Sequence, residues 1–163
     1  MVDQMIRYPA IFETDPDTNH LIVELPDIPG CISISADQDE ALSMGLDAAL
    51  TWVTEAMGNQ ENIPMPSQSS PGQSVVEIPP IAEMKICLYL AMLDQGVSQL
   101  SLARRLHKDQ RSIRKLLNLW NKTNWDLLER ALESVGYQVR VTIQPFVTHP
   151  AFMGERARED LLA

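Results

Sequence analysis

Gln99-Leu100-Ser101-Leu102-Ala103-Arg104-Arg105-Leu106-His107-Lys108-Asp109-Gln110-Arg111-Ser112-Ile113-Arg114-Lys115-Leu116-Leu117 is the stretch that decides how this 163-residue chain is read. Ser98 and Asp109 are residue types that accept hydrogen bonds from the free N–H groups opening a helix, so the stretch predicts two short helices joined by a tight turn. Helices that cross steeply need a small residue where they touch, and Ala103 supplies it. Leu102, Leu106, Ile113 and Leu116 have the spacing that holds such a pair together. With these buried, Gln110, Arg111, Arg114, Lys115 and Asn118 fall on the outward side of the second helix. They are cationic or hydrogen-bonding, as a helix entering a DNA major groove requires. From Arg104 to Lys122 there are seven basic residues against one acid, Asp109, the footprint of a surface that meets phosphate. The candidate DNA contacts are therefore Gln99, Lys108, Gln110, Arg111, Ser112, Arg114, Lys115 and Asn118.

The stretch resembles the helix-turn-helix of Xre/Cro-type repressors. It departs from that pattern at the turn, where His107 stands in place of the usual glycine and Lys108 in place of an apolar residue. A left-handed turn at histidine costs on the order of 1 kcal/mol more than at glycine. On the N-terminal side, Ile81 to Leu93 carries a stripe of Met84, Ile86, Leu88, Leu90, Ala91 and Leu93, with Gly96 placed to end that helix. On the C-terminal side, Asn124 can cap a helix buried along Leu127, Leu128, Ala131, Leu132 and Val135, with Gly136 at its end. Tyr137 to Ile143 then alternates with period two and reads as a strand. A lone strand needs a partner, and the simplest is the same strand of a second chain, so Tyr137, Val139, Val141 and Ile143 are the expected dimer contacts. The last twenty residues read as a loose tail.

The N-terminal half has a different rhythm. Met5 to Thr14 and His20 to Leu25 read as strands joined by the turn-forming run Asp15 to Asn19. Pro26-Asp27-Ile28-Pro29-Gly30 is a rigid loop, and Cys31 to Ser35 a third strand. Asp37 and Glu40 have capping spacing for a helix whose face is Ala41, Leu42, Gly45, Ala49, Trp52, Val53 and Ala56, ended by Gly58-Asn59. Trp52 is read as core. Residues 59–74 are polar and rich in Pro and Ser, an irregular connection. Val75 to Ile78 can add a strand at the sheet edge, and Pro79-Pro80 marks a domain boundary.

Charge separates the halves. Net charge is −9, but residues 1–80 hold thirteen acids and one base, Arg7, leaving −12, while residues 81–163 hold nine acids and twelve bases, leaving +3. The acidic half would repel nucleic acid and attract a basic protein. No apolar run approaches a membrane span, the N-terminus lacks the pattern of a signal peptide, and a cytoplasmic location is expected. Cys31 and Cys87 lie far apart on different elements and read as free thiols. His20, His107 and His149 have no neighbour at metal-ligand or dyad spacing, so neither metal nor cofactor is expected.

Taken in order, Arg7-Tyr8-Pro9-Ala10-Ile11-Phe12-Glu13, Val23-Glu24-Leu25-Pro26-Asp27-Ile28-Pro29-Gly30-Cys31, Ala36-Asp37-Gln38-Asp39-Glu40-Ala41-Leu42 and Ile63-Pro64-Met65-Pro66-Ser67 resemble the HicB antitoxin family. The resemblance covers about residues 5–80, and the helix-turn-helix extends it to roughly 143. It implies an α+β chain: a reduced ribonuclease H-like β-β-β-α(-β) domain over residues 1–78, and a helical helix-turn-helix domain over 79–145 that ends in the dimerising strand. A tail would fill 146–163. The family pattern further implies a partner, HicA, a small ribonuclease toxin whose catalytic histidine the antitoxin masks, and repression of the shared operon through the C-terminal domain. The strand end and loop residues Glu24, Pro26, Asp27 and Pro29 are the candidate toxin contacts. No enzyme is expected: ribonuclease H chemistry needs carboxylates converging on two Mg²⁺ ions, whereas Glu13, Asp15, Asp17, Glu24, Asp27 and Asp37 lie mostly in turns or at a helix cap. The alternative is a one-component transcription regulator whose N-terminal domain senses a small ligand, which requires an apolar pocket.

Overall fold

The computed structural model describes residues 5–142. Their order is β1 (Arg7–Pro9), β2 (Ile11–Thr14), β3 (Leu21–Glu24), β4 (Ile32–Ser35), α1 (Gln38–Asn59), β5 (Val75–Glu77), α2 (Pro80–Asp94), α3 (Gln99–Arg105), α4 (Gln110–Leu117) and α5 (Trp125–Ser134). The chain is thus α+β, and among the described residues the strands lie in the N-terminal half.

Where alternation predicts one strand over Met5–Thr14, the structure has two in different sheets. β1 pairs antiparallel with β5, and β2 joins the antiparallel sheet β2-β3-β4. The change of partner falls at Pro9–Ala10. Proline has no N–H to continue a ladder, and the Ala10 N–H donates to the Ser74 carbonyl at 2.9 Å. The strand at Val75–Glu77 therefore closes against β1 and not against the three-stranded sheet.

α1 lies across both sheets. A Cβ on Gly45 would stand 3.4 Å from Val76 Cγ2 and 3.7 Å from Val23 Cγ1. Ala41, Gly45, Ala49, Leu50, Val53, Ala56 and Met57 are its buried residues, while Leu42 and Trp52 are half-buried at the edge. The Asp37 carboxylate caps the helix, accepting from the Glu40 N–H at 2.8 Å. Glu40 does not return the bond as a capping box would. Its carboxylate instead accepts from the Ser35 hydroxyl at 2.5 Å, tying the helix start to the end of β4.

α2 sits between the halves. Its buried residues are Ala82, Lys85, Ile86, Leu88, Tyr89, Ala91 and Met92, whereas Leu93, placed in the apolar stripe by sequence, is exposed. The Tyr89 hydroxyl donates to the Glu61 carbonyl at 2.6 Å, just beyond α1. The buried residues run from Ile6 to Val135 without a break at Pro79-Pro80. Among the described residues no single helix is long and apolar enough to cross a membrane; α2 and α3 together reach that length but are bent by 106° between them.

The helical half follows its caps. Ser98, Asp109 and Asn124 accept from the N–H groups of Ser101, Ser112 and Leu127 at 3.1, 2.7 and 3.1 Å. Three helices end in the same way, with one left-handed residue whose flanking N–H groups fold back onto the last turn. Those residues are Gly96 (φ +63), Gly136 (φ +86) and His107 (φ +52). At His107 the closing bonds are His107 N–H to Arg104 O at 3.2 Å and Lys108 N–H to Ala103 O at 2.9 Å. Residues 137–142 carry no strand pairing in the single chain; Tyr137 and Val141 are exposed and Val139 packs against the core. Ile143 lies outside the described residues.

Candidate functional site

The basic surface is built on α3 and α4. Leu102, Ala103, Leu106, Ile113 and Leu116 are all buried between them, as their spacing requires. That leaves Lys108, Gln110, Arg111, Arg114 and Lys115 exposed on one side, with Gln99 and Ser112 half-buried. Gln99 and Gln110 hold the first positions of their helices. Together with Arg114 they line a hollow of about 470 Å³, whose far wall includes Met57, Gln60 and Tyr89.

Two members of the sequence-derived set also take part in local turns and caps. The Asn118 side chain accepts from the Trp120 N–H at 2.9 Å and shapes the turn after α4 instead of extending its outward face. The Ser112 N–H is taken by the Asp109 carboxylate, and this bond is the main reason Asp109 titrates below the ordinary carboxylate range. Arg105, in the same basic run, donates to the Ser134 carbonyl at 2.9 Å and so pins α3 to the end of α5.

Lys85 positions this surface from behind, and the sequence reading missed it. It is 0% exposed. Its ammonium donates to the Asn118 carbonyl at 2.6 Å and the Asn121 carbonyl at 2.8 Å. Burial pushes its pKa down, while the carbonyls at the C-terminal end of α4, the negative end of the helix dipole, favour the charged form. A lysine inside an otherwise apolar stripe was the available signal, since such a residue is fully buried only when it is paired.

The acidic half places its motif residues together. The Tyr8 hydroxyl donates to the Pro64 carbonyl at 2.8 Å. The Asp27 carboxylate accepts from both the Ser67 N–H at 2.9 Å and the Ser67 hydroxyl at 3.1 Å. The strand around Tyr8, the Pro26–Gly30 loop and the Ile63–Ser67 segment are thus laced into one unit. Burial, with the Asp27 carboxylate and Cys31 as lesser causes, pushes the Tyr8 phenol up to about 12. Of the four candidate toxin contacts, Glu24, Pro26 and Pro29 are exposed, and Asp27 is half-buried as the clamp on Ser67.

The remaining acids do not gather. Asp15 accepts from the backbone of Asp17 and Thr18 in its turn, which lowers its pKa, and Asp37 caps α1. Among the described residues no three His, Cys, Asp or Glu side chains form a group able to hold a metal ion. Cys31 is buried and Cys87 half-buried, both free. Burial raises both thiols, and Glu83 adds to the effect on Cys87.

Residues 7–87 match a family model described as "HicB_like antitoxin of bacterial toxin-antitoxin system". Among curated proteins, the chain is 32% identical over 131 residues to Antitoxin HicB 2 of Photorhabdus laumondii, covering 80% of this chain and 91% of that one. It is 28% identical over 139 residues to Antitoxin HicB 1 of the same organism, covering 85% and 88%. To Antitoxin HicB of Escherichia coli K12 it is 28% identical over 138 residues, covering 85% and 99%.

Proposed function

The chain belongs to the HicB-like antitoxin family, and from that premise we propose that it binds and inhibits a HicA-type, RNA-cleaving toxin with its N-terminal half and represses its own operon with its C-terminal half. The observation that carries this reading is the separation of charge onto two differently built surfaces. An RNA-cleaving partner must be basic, because its substrate is a polyanion. A half carrying thirteen acids against one base attracts such a partner and speeds encounter. We read this half, about residues 1–78, as a reduced ribonuclease H-like unit that is not itself an enzyme; the sheet β2-β3-β4 followed by α1 and β5, and the separate local duties of Asp15, Asp27 and Asp37, support that.

Residues 79–145 are read as the helix-turn-helix and dimerisation domain. Lys108, Arg111 and Lys115 would meet phosphates, while Gln99, Gln110 and Arg114 would read base edges. Pairing of Tyr137–Ile143 with a second chain would set the spacing of two half-sites. The alternative, a ligand-sensing regulator, draws support from the hollow of about 470 Å³, which has an apolar wall of Met57, Tyr89 and Met92. It lies at the junction of the halves and not under the sheet.

Co-expression with the product of a small open reading frame adjacent to its gene separates the two. The antitoxin reading expects a stable pair whose RNA cleavage emerges only when this chain is stripped away. A lone protein that still shifts its own promoter DNA, with no bound partner, favours the sensor.

A further inference from the structure

We propose that the outward face of the sheet β2-β3-β4 is where the basic toxin docks; this rests on the antitoxin reading above and assigns it a surface. Cross-strand partners share a face, and the register puts Ile11, Glu24 and Ile32 in one row and Glu13, Ile22 and Ile34 in the next. The opposite face carries Val23, against α1. Four isoleucines and two glutamates therefore alternate on the side away from the helix. Ile11, Ile32 and Ile34 are 43%, 53% and 53% exposed.

β4 is the telling strand. Period-two alternation fixes which residues share a face but not which face turns inward. Here the serines face in: Ser35 is buried with its hydroxyl on Glu40, and Ser33 donates to the Met44 carbonyl of α1. The isoleucines face out. A strand that buries its polar side and exposes its β-branched side leaves an aliphatic patch that a partner would cover.

Charge selects the occupant. A second copy would bring Glu13 and Glu24 against their own counterparts. Arg7, the sole base in residues 1–80, is already paired with Glu77 at 3.0 Å on the other sheet. A basic protein presenting an apolar centre and Lys or Arg at its rim meets both chemistries of the face. Pro26 and Pro29, both exposed, lie in the loop that joins β3 to β4.

The test uses full-length chain with the toxin isolated from the co-expressed pair. One variant is Ile32→Ser with Ile34→Ser; the other is Glu13→Lys with Glu24→Lys. Inhibition of RNA cleavage, thermal melting and solution mass are read for each. We expect both to melt as the wild type does and to require about tenfold more protein or more for half-inhibition, with the lysine variant's defect shrinking as salt is raised. If the serine variant does not fold, the lysine variant decides. Full inhibition by both variants overturns the proposal, as does a change of mass with inhibition intact, which would make the face a contact between copies. Failure of the wild type to inhibit at all would refute the antitoxin reading itself.

Discussion

Replacing Lys85 with methionine removes an ammonium that holds two backbone carbonyls, those of Asn118 and Asn121, at 2.6 and 2.8 Å. Methionine nearly conserves the buried volume, so the loss is electrostatic and not a cavity. A hydrogen bond to a charged group contributes roughly 1.5–3 kcal/mol, and there are two. Against this, the variant escapes the cost of keeping an ammonium out of water, the same cost that lowers the lysine's pKa. The carbonyls belong to residues with exposed side chains and can partly recover water. The balance is a destabilisation of about 2–3 kcal/mol, or a melting temperature lower by about 6–9 °C for a chain of this size. Urea unfolding followed by tryptophan fluorescence measures it, because Trp120 lies in the turn that Lys85 holds. The reasoning is refuted if Lys85→Met is as stable as the wild type or more so, the result expected had the desolvation cost outweighed both bonds.

Four further outcomes are expected. His107→Gly places glycine in the one closing turn of the three that lacks it, and should raise stability by roughly 0.5–1 kcal/mol; a lower melting temperature would contradict the left-handed geometry. The Tyr8 phenol is favoured neutral in the folded state, with its pKa up to about 12, so its contribution holds below pH 10 and is lost as pH rises from 10 toward 12. That loss approaches about 3 kcal/mol and should be absent from the alkaline unfolding curve of Tyr8→Phe. Asp109 should titrate below the ordinary aspartate range in an NMR pH series; an ordinary midpoint would mean that the α4 cap does not form. Arg114→Ala should weaken promoter binding across salt concentrations and shift its sequence preference, whereas Lys115→Ala should mainly flatten the salt dependence by about one phosphate contact.

Local chemistry was legible in the sequence, and long-range choices were not. Ser98, Asp109 and Asn124 announce three helix starts because their acceptors reach an N–H only three residues on. His107 reveals its turn because the flanking helices leave no other conformation there. The partners of Lys85 were not legible, since they lie 33 and 36 residues away and only the packing of α2 against α4 brings them close. Asp27 reads equally well as a surface acid or a clamp until Ser67, 40 residues on, folds beside it. The pattern of β4 names two faces without saying which is inner, and only α1 settles that. The same asymmetry splits the candidate DNA set: Gln110, Arg111, Arg114 and Lys115 follow from helical period, but Asn118 sits one residue past the helix, where a turn and not a face determines its use.

A titration tests toxin neutralisation most directly. Increasing amounts of the purified chain are added to a fixed amount of the stripped partner, with cleavage of a defined RNA as the readout. Cleavage is expected to fall in proportion and vanish near one-to-one, with weaker inhibition at high salt. Undiminished cleavage in the presence of excess chain, under conditions where the chain is folded, would contradict it.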